Sequence, residues 1–255
     1  MLRTLLAATA ALALAPAAAQ DDPHAAFDAF LAEYVVERDG MTLVRYGAVT
    51  QADAGALEAY IGTLEAMTPS AMGRDEQLAY YFNLYNAAII DVVLDNYPID
   101  SIKEVGGGLL AFGPLSGPWK NEVVTVEGER LSFDDIEHGI VRARFDEPRV
   151  HYAFNCASIG CPDIRPAAWR ADTLSADLDA AARAYVASDR GVRVDGRGRV
   201  TASSIYKWFQ EDFGGDEEGV LEHVSAYATG AKQAALDEAD GIRRYDYDWS
   251  LNEAE

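Results

Sequence analysis

The sequence predicts an α+β fold: a single, mostly helical domain with short antiparallel strands and two β-hairpins. Three observations carry this. The run Asp75 to Asn96, DEQLAYYFNLYNAAIIDVVLDN, is apolar on almost every face, opens on acids and stops before Pro98, so it reads as a long buried helix. Two turn signals, Glu127-Gly128 and Asp195-Gly196, each sit between short β-prone runs. No internal repeat and no low-complexity linker divides the chain, so residues 20–255 are read as one domain.

The first residues, MLRTLLAATAALALAPAAAQ, place Arg3 before an apolar run from Leu5 to Leu14 and Ala17-Ala18-Ala19 before Gln20. That is the pattern of a secretory signal peptide over residues 1–19. The apolar run is too short to span a bilayer, and no later stretch approaches the required length. A periplasmic or secreted protein is therefore expected, with no membrane insertion after leader removal. The formal net charge of −21 argues against nucleic acid and anionic lipid as partners. The expected partner is a small molecule or peptide, and no cofactor or metal is indicated.

The elements follow in order. Ala25 to Val36 places Phe27, Phe30, Leu31 and Tyr34 at helical spacing, and Gly40 breaks it. Thr42 to Val49 is β-prone. Thr50 is placed to cap a helix to Met67 that carries Leu57, Tyr60, Ile61 and Leu64 on one face. In the long helix, Asn83 and Asn86 lie three residues apart; they either brace neighbouring loops or line a site. The glycine-rich loop Val105 to Trp119 lacks a phosphate-binding motif and reads as a cover over the core or a pocket.

The first hairpin joins Val123–Val126 to Glu129–Leu131. Ser132 and Asp135 then form a near capping box, opening a helix to about Phe145. It sets Asp134, His138 and Arg142 at successive i, i+4 positions with Glu137 beside His138. Leu174 to Val186 is helical, and Gly191 to Ala202 is the second hairpin. Ser203 opens a short helix whose Ile205, Trp208 and Phe209 read as core anchors. Two further helices, Gly219 to Ala228 and Ala231 to Leu236, precede a closing strand, Ile242 to Leu251.

The stretch Arg149 to Arg165, RVHYAFNCASIGCPDIR, holds both cysteines. Residues 149–156 read as a strand, with Arg149, His151, Ala153 and Asn155 on one face and Cys156 on the other. A Gly/Ser/Pro turn follows. Four readings stay open. Cys156 and Cys161 form a disulfide, as an oxidising compartment favours. Cys156 is a nucleophilic thiolate served by turn amides and a histidine, for acyl transfer or amide hydrolysis. The two cysteines are a thiol–disulfide redox pair, although C-x4-C is not the usual spacing. Or His151, Cys156 and Cys161 bind a metal, with no standard zinc spacing to support it.

The segments YYFNLYNAAI, LSFDDIEHGIVR, DEPRVHYAFNCASIGCPDIRP, SSIYKWFQEDFGG and YDYDWSLN occur in this order. Together they resemble the domain-of-unknown-function family DUF547 from about Tyr46 to Asn252. The resemblance implies no established activity. Its motif positions here include Tyr85, Glu137, His138, His151, Cys156, Cys161, Trp208, Asp212, Asp248 and Trp249.

Two functions are carried forward. The first is a cysteine-dependent hydrolase or acyl-transfer enzyme. Cys156 would be its nucleophile, His138 or His151 the base, Glu137 beside them and Asn155 a positioning group. Asn83, Asn86, Arg149 and Ser158 would line its pocket. The second is a non-catalytic binding or scaffold domain in which a Cys156–Cys161 disulfide shapes a loop.

Overall fold

A computed structural model describes residues 22–106 and 117–254. The expected leader, and the centre of the glycine-rich loop at 107–116, lie outside the described residues. Helices dominate, with short strand pairs between them, as an α+β fold requires.

Helix α1 (Ala25–Tyr34) leads into a hairpin of β1 (Val35–Arg38) and β2 (Met41–Val44), turning through Asp39 and Gly40 at positive φ. This hairpin is a third one that the sequence reading divided differently: the predicted helix ends before Val35. Helix α2 (Gln51–Glu65) is capped by Thr50, whose hydroxyl accepts the Asp53 N–H, and buries the expected Leu57, Tyr60, Ile61 and Leu64. Helix α3 (Arg74–Asn96) begins with Glu76 accepting the N–H of Gly73 at 2.7 Å. It is buried along most of its length, because its apolar residues leave no polar face to turn to water.

Strands β3 (Glu122–Val126) and β4 (Glu129–Ser132) form the first predicted hairpin. Ser132 and Asp135 bond reciprocally as foreseen: Ser132 N–H donates to Asp135 Oδ2 at 2.9 Å and Asp135 N–H to Ser132 Oγ at 3.2 Å. The helix they open, residues 133–144, winds as a π-helix over Asp135–Arg142. Helix α4 (Leu174–Ala187) follows the cysteine turn.

Strands β5 (Val192–Val194) and β6 (Val200–Ser203) form the second predicted hairpin, and β7 (Ile242–Asp246) joins β6 in parallel, the one pairing among these sheets that is not antiparallel. Between β6 and β7 come α5 (Ile205–Trp208), α6 (Glu217–Tyr227) and α7 (Gly230–Asp237). The closing strand is shorter than expected; residues 247–251 turn back over the cysteine turn.

Residues 149–156 are not a strand. Pro148–Tyr152 form a 3-10 turn, because Pro148 is pre-set for a helical start and the Glu147 carboxylate accepts the Arg149 N–H. Three residues per turn separate Arg149 from His151, which a strand would have put on one face. Two buried clusters meet at this point. Val150 packs into one, around α3; Tyr152 packs into the other, around β5, β6 and α6; and α4 contributes to both.

Candidate functional site

A cavity of about 510 Å³ opens where the two clusters meet. The π-helix supplies Asp134, Glu137 and His138, the 3-10 turn supplies His151, and the cysteine turn supplies Cys156 and Cys161. Tyr85 comes from α3. The rest of the wall is mostly aromatic, with Trp119, Phe154, Trp208, Phe209, Tyr247 and Trp249, and is completed by Lys103 and Ile205.

The turn is rigidly tied. Asn155, 3% exposed, donates from Nδ2 to Pro162 O at 2.8 Å and accepts the Ala157 N–H at 2.9 Å. Ala157 holds φ 57°, which lets the chain reverse. Ile159 N–H donates to Ser250 O and Gly160 N–H to Asp248 O, each at 2.8 Å, so the turn is stitched to residues 248–250. Arg190 donates to the carbonyls of Ile159 and Cys161 and pairs with Asp163.

Cys156 and Cys161 are joined by a disulfide, and no cysteine is free among the described residues. Cys156 is partly exposed in the cavity wall, while Cys161 is 2% exposed. The Cys156 N–H donates to Cys161 Sγ at 2.8 Å. The Tyr247 hydroxyl lies 2.9 Å from Cys156 Sγ, 3.1 Å from Cys161 Sγ and 2.8 Å from Ser158 Oγ. Burial pushes the Tyr247 phenol well above its ordinary range, so it stays a donor.

His151 is buried, stacked on Phe209 with ring centres 4.2 Å apart, and its Nε2 sits 2.6 Å from Asp212 Oδ2. Glu137 approaches its Nδ1 at 3.7 Å. Burial opposes the charged imidazolium, but hydrogen bonds to the two carboxylates outweigh it and hold His151 above its usual value. Asp212 is partly buried, which would raise it, yet bonds from His151 and Arg142 hold it far below the carboxylate range. Arg142 clamps Asp212 through Nε and, at 3.0 Å, through Nη2. His138 stands more open, with Nε2 3.8 Å from Asp134. Burial raises the Asp134 carboxyl, with the His138 charge opposing.

Of the residues singled out from sequence, the structure brings Cys156, Cys161, His138, His151 and Glu137 to one cavity wall. Asn155 and Ser158 stand behind that wall in the turn. Asn83 and Asn86 are braces: Asn83 exchanges two bonds with the Trp169 backbone, and Asn86 bonds Ala153 O and Asn155 N–H. Arg149 points elsewhere, pairing with Glu147 and Asp179 at 2.7 Å each. The Asp134, His138, Arg142 stripe survives the π winding, with Arg142 Nη1 3.3 Å from His138 Nδ1. Bonded to Cys161, Cys156 offers no thiolate. Among the described residues no cluster of His, Cys, Asp and Glu is arranged to hold a metal.

The aromatic wall was missed. Trp208, read as a core anchor, is 48% exposed and stacks on Trp249 at 5.6 Å. Tyr247 lies 4.8 Å from Trp208 and 4.7 Å from Trp249, and Lys103 sits over the Trp249 ring at 5.2 Å. The usable signal was tryptophan in charged surroundings: Lys207-Trp208 and Asp248-Trp249.

A family model described as "Protein of unknown function, DUF547" matches residues 69–186, which include α3, the π-helix and the cysteine turn. No curated protein and no solved structure matches the chain.

Proposed function

From the premise that this chain belongs to the DUF547 family, whose model covers residues 69–186, we propose that it is an exported binding domain for a small organic cation, and no cysteine-dependent hydrolase. One observation carries this: the packed rings of Trp208, Tyr247 and Trp249 line the same cavity as the carboxylates of Asp134 and Glu137. Ring faces attract a desolvated cation by about 1–2 kcal/mol each, and a weakly hydrated quaternary ammonium gains most. Lys103, already over Trp249, illustrates the preference. The apolar wall takes the ligand's body, and the two acids take its charge.

Export is supported by the leader pattern at residues 1–19 and by a disulfide, which oxidising compartments sustain. Among the described residues no helix is long and apolar enough to cross a membrane. The hydrolase reading needs a free thiolate at Cys156, and the bridge to Cys161 withholds it.

Titration of tryptophan fluorescence with benzyltrimethylammonium tests the proposal. Saturable quenching is expected, with a Kd raised roughly tenfold in Trp208→Ala. Equal quenching by a neutral analogue of the same shape, or an unchanged Kd in the variant, would reject it.

A further inference from the structure

We propose a further activity at the same cavity: thiol–disulfide exchange at Cys156–Cys161 with a small organic thiol. It rests on the reading that the cavity admits a small molecule, and three observations add to that reading. The bridge forms part of the cavity wall. Its two sulfurs are unequal, Cys156 partly exposed and Cys161 2% exposed, so an incoming thiolate meets Cys156 first. The Tyr247 hydroxyl reaches both sulfurs, 2.9 Å from Cys156 Sγ and 3.1 Å from Cys161 Sγ, the Ser158 hydroxyl lies 3.2 and 3.7 Å from them, and the Cys156 N–H, 2.8 Å from Cys161 Sγ, is the donor that singles out Cys161.

Exchange is faster when the departing thiol is the stronger acid, and hydrogen bonds to a sulfur anion make it one. The step runs as follows. A thiolate attacks Cys156 Sγ and forms a new S–S bond. The Cys156–Cys161 bond breaks, and its electron pair leaves on Cys161 Sγ, which takes up the proton the thiol released. A second thiolate attacks the sulfur of the bound thiol, releasing a small-molecule disulfide and leaving Cys156 as a thiol. Two thiols are oxidised to one disulfide, and the protein bridge is reduced to a dithiol. The formal net charge of −21, to which Asp134 and Glu137 contribute in the cavity against Lys103, favours a cationic aminothiol over an anionic one.

The structure thus separates a reacting sulfur, Cys156, from a leaving one, Cys161. A bridge serving only to shape the loop would resist thiols until the protein unfolds.

The test uses the unreduced full chain with excess cysteamine. Two titratable thiols are expected to appear while the far-ultraviolet circular dichroism stays native. Mercaptoacetate should react more slowly than cysteamine. In Tyr247→Phe, which keeps both cysteines, reduction should slow roughly tenfold because one donor to the leaving sulfur is gone. Cystamine should label Cys161→Ser, through Cys156, at least about ten times faster than it labels Cys156→Ser. If either single-cysteine variant fails to fold, the intact bridge and Tyr247→Phe decide alone. A bridge that survives cysteamine until unfolding, or a Tyr247→Phe rate equal to the wild type, overturns the proposal. Saturable benzyltrimethylammonium quenching with an inert bridge would keep the binding site and remove the exchange. A reactive bridge without quenching would do the reverse.

Discussion

Asn155 donates its backbone N–H to Asn86 Oδ1 at 2.9 Å, and so the long buried helix α3 holds the start of the cysteine turn. Asn86 Nδ2 completes the brace by donating to Ala153 O at 2.8 Å. Asn86, which the sequence offers either as a brace or as a site residue, therefore acts from behind the site and fixes where Cys156 emerges, while Asn83 braces Trp169.

Asn86→Leu should lower the unfolding free energy by about 2–6 kcal/mol, because it strands a buried N–H and a buried carbonyl at roughly 1–3 kcal/mol each. Urea titration followed by circular dichroism measures it. A loss below about 1 kcal/mol would mean that water or a local shift satisfies both groups, and the brace is then dispensable.

Gly160→Ala should cost about 1–3 kcal/mol for a different reason. An added Cβ would lie 2.9 Å from the Asp248 N and O atoms and from the Tyr247 ring, so residues 247–248 must move away. Those residues carry the pocket wall. The variant should therefore melt at lower temperature and also bind benzyltrimethylammonium more weakly. Lower stability with unchanged binding would show that the wall does not depend on this contact.

What the sequence disclosed and what it hid divide along physical lines. Helix α3 was legible because its apolar residues leave no ambiguity about burial, and both predicted hairpins were legible because Glu127-Gly128 and Asp195-Gly196 fix their turns locally. Pro148–Tyr152 misleads from sequence: a β-prone run of five residues is too short to separate period 2 from period 3, and the proline that decides between strand and 3-10 turn sits at its edge. The cavity itself depends on contacts that no local pattern encodes. Asp212 reaches His151 across 61 residues, and Tyr247 reaches Cys156 across 91. The exposure of Trp208 was hidden because i, i+3, i+4 spacing gives a face without saying what covers it.

His223 predicts a pH dependence of its own. Its Nε2 lies 2.8 Å from the Tyr152 hydroxyl, and burial, followed by the His151 charge, holds its pKa down to about 4. The unfolded chain takes up this proton near pH 6.5 and the folded chain only near pH 4, so this group makes folding less favourable as pH falls between those values. His223→Gln keeps a polar partner for Tyr152 and removes the titration. Relative to the variant, the wild type should lose of order 2 kcal/mol between about pH 7 and pH 4. A constant difference across that range would show that His223 is not held neutral.

The His151–Asp212 pair gives the opposite sign for histidine. His151 is raised in the folded state, so its contribution is complete below about pH 6.5 and fades as pH rises through the elevated value. Asp212 is depressed, so its contribution is present above about pH 4 and fades as acid protonates it. Asp212→Asn removes the nearest counter-charge to a histidine that is 3% exposed, and also unpairs Arg142. Because Asp212 retains some solvent contact, we expect a loss of about 2–3 kcal/mol, at the lower edge for a broken buried pair. That loss should be largest near pH 5 and shrink as pH rises through the elevated His151 value. Unfolding titrations at pH 5, 7 and 9 measure it; a pH-independent loss would show that His151 is neutral throughout and that Asp212 serves only to orient Arg142.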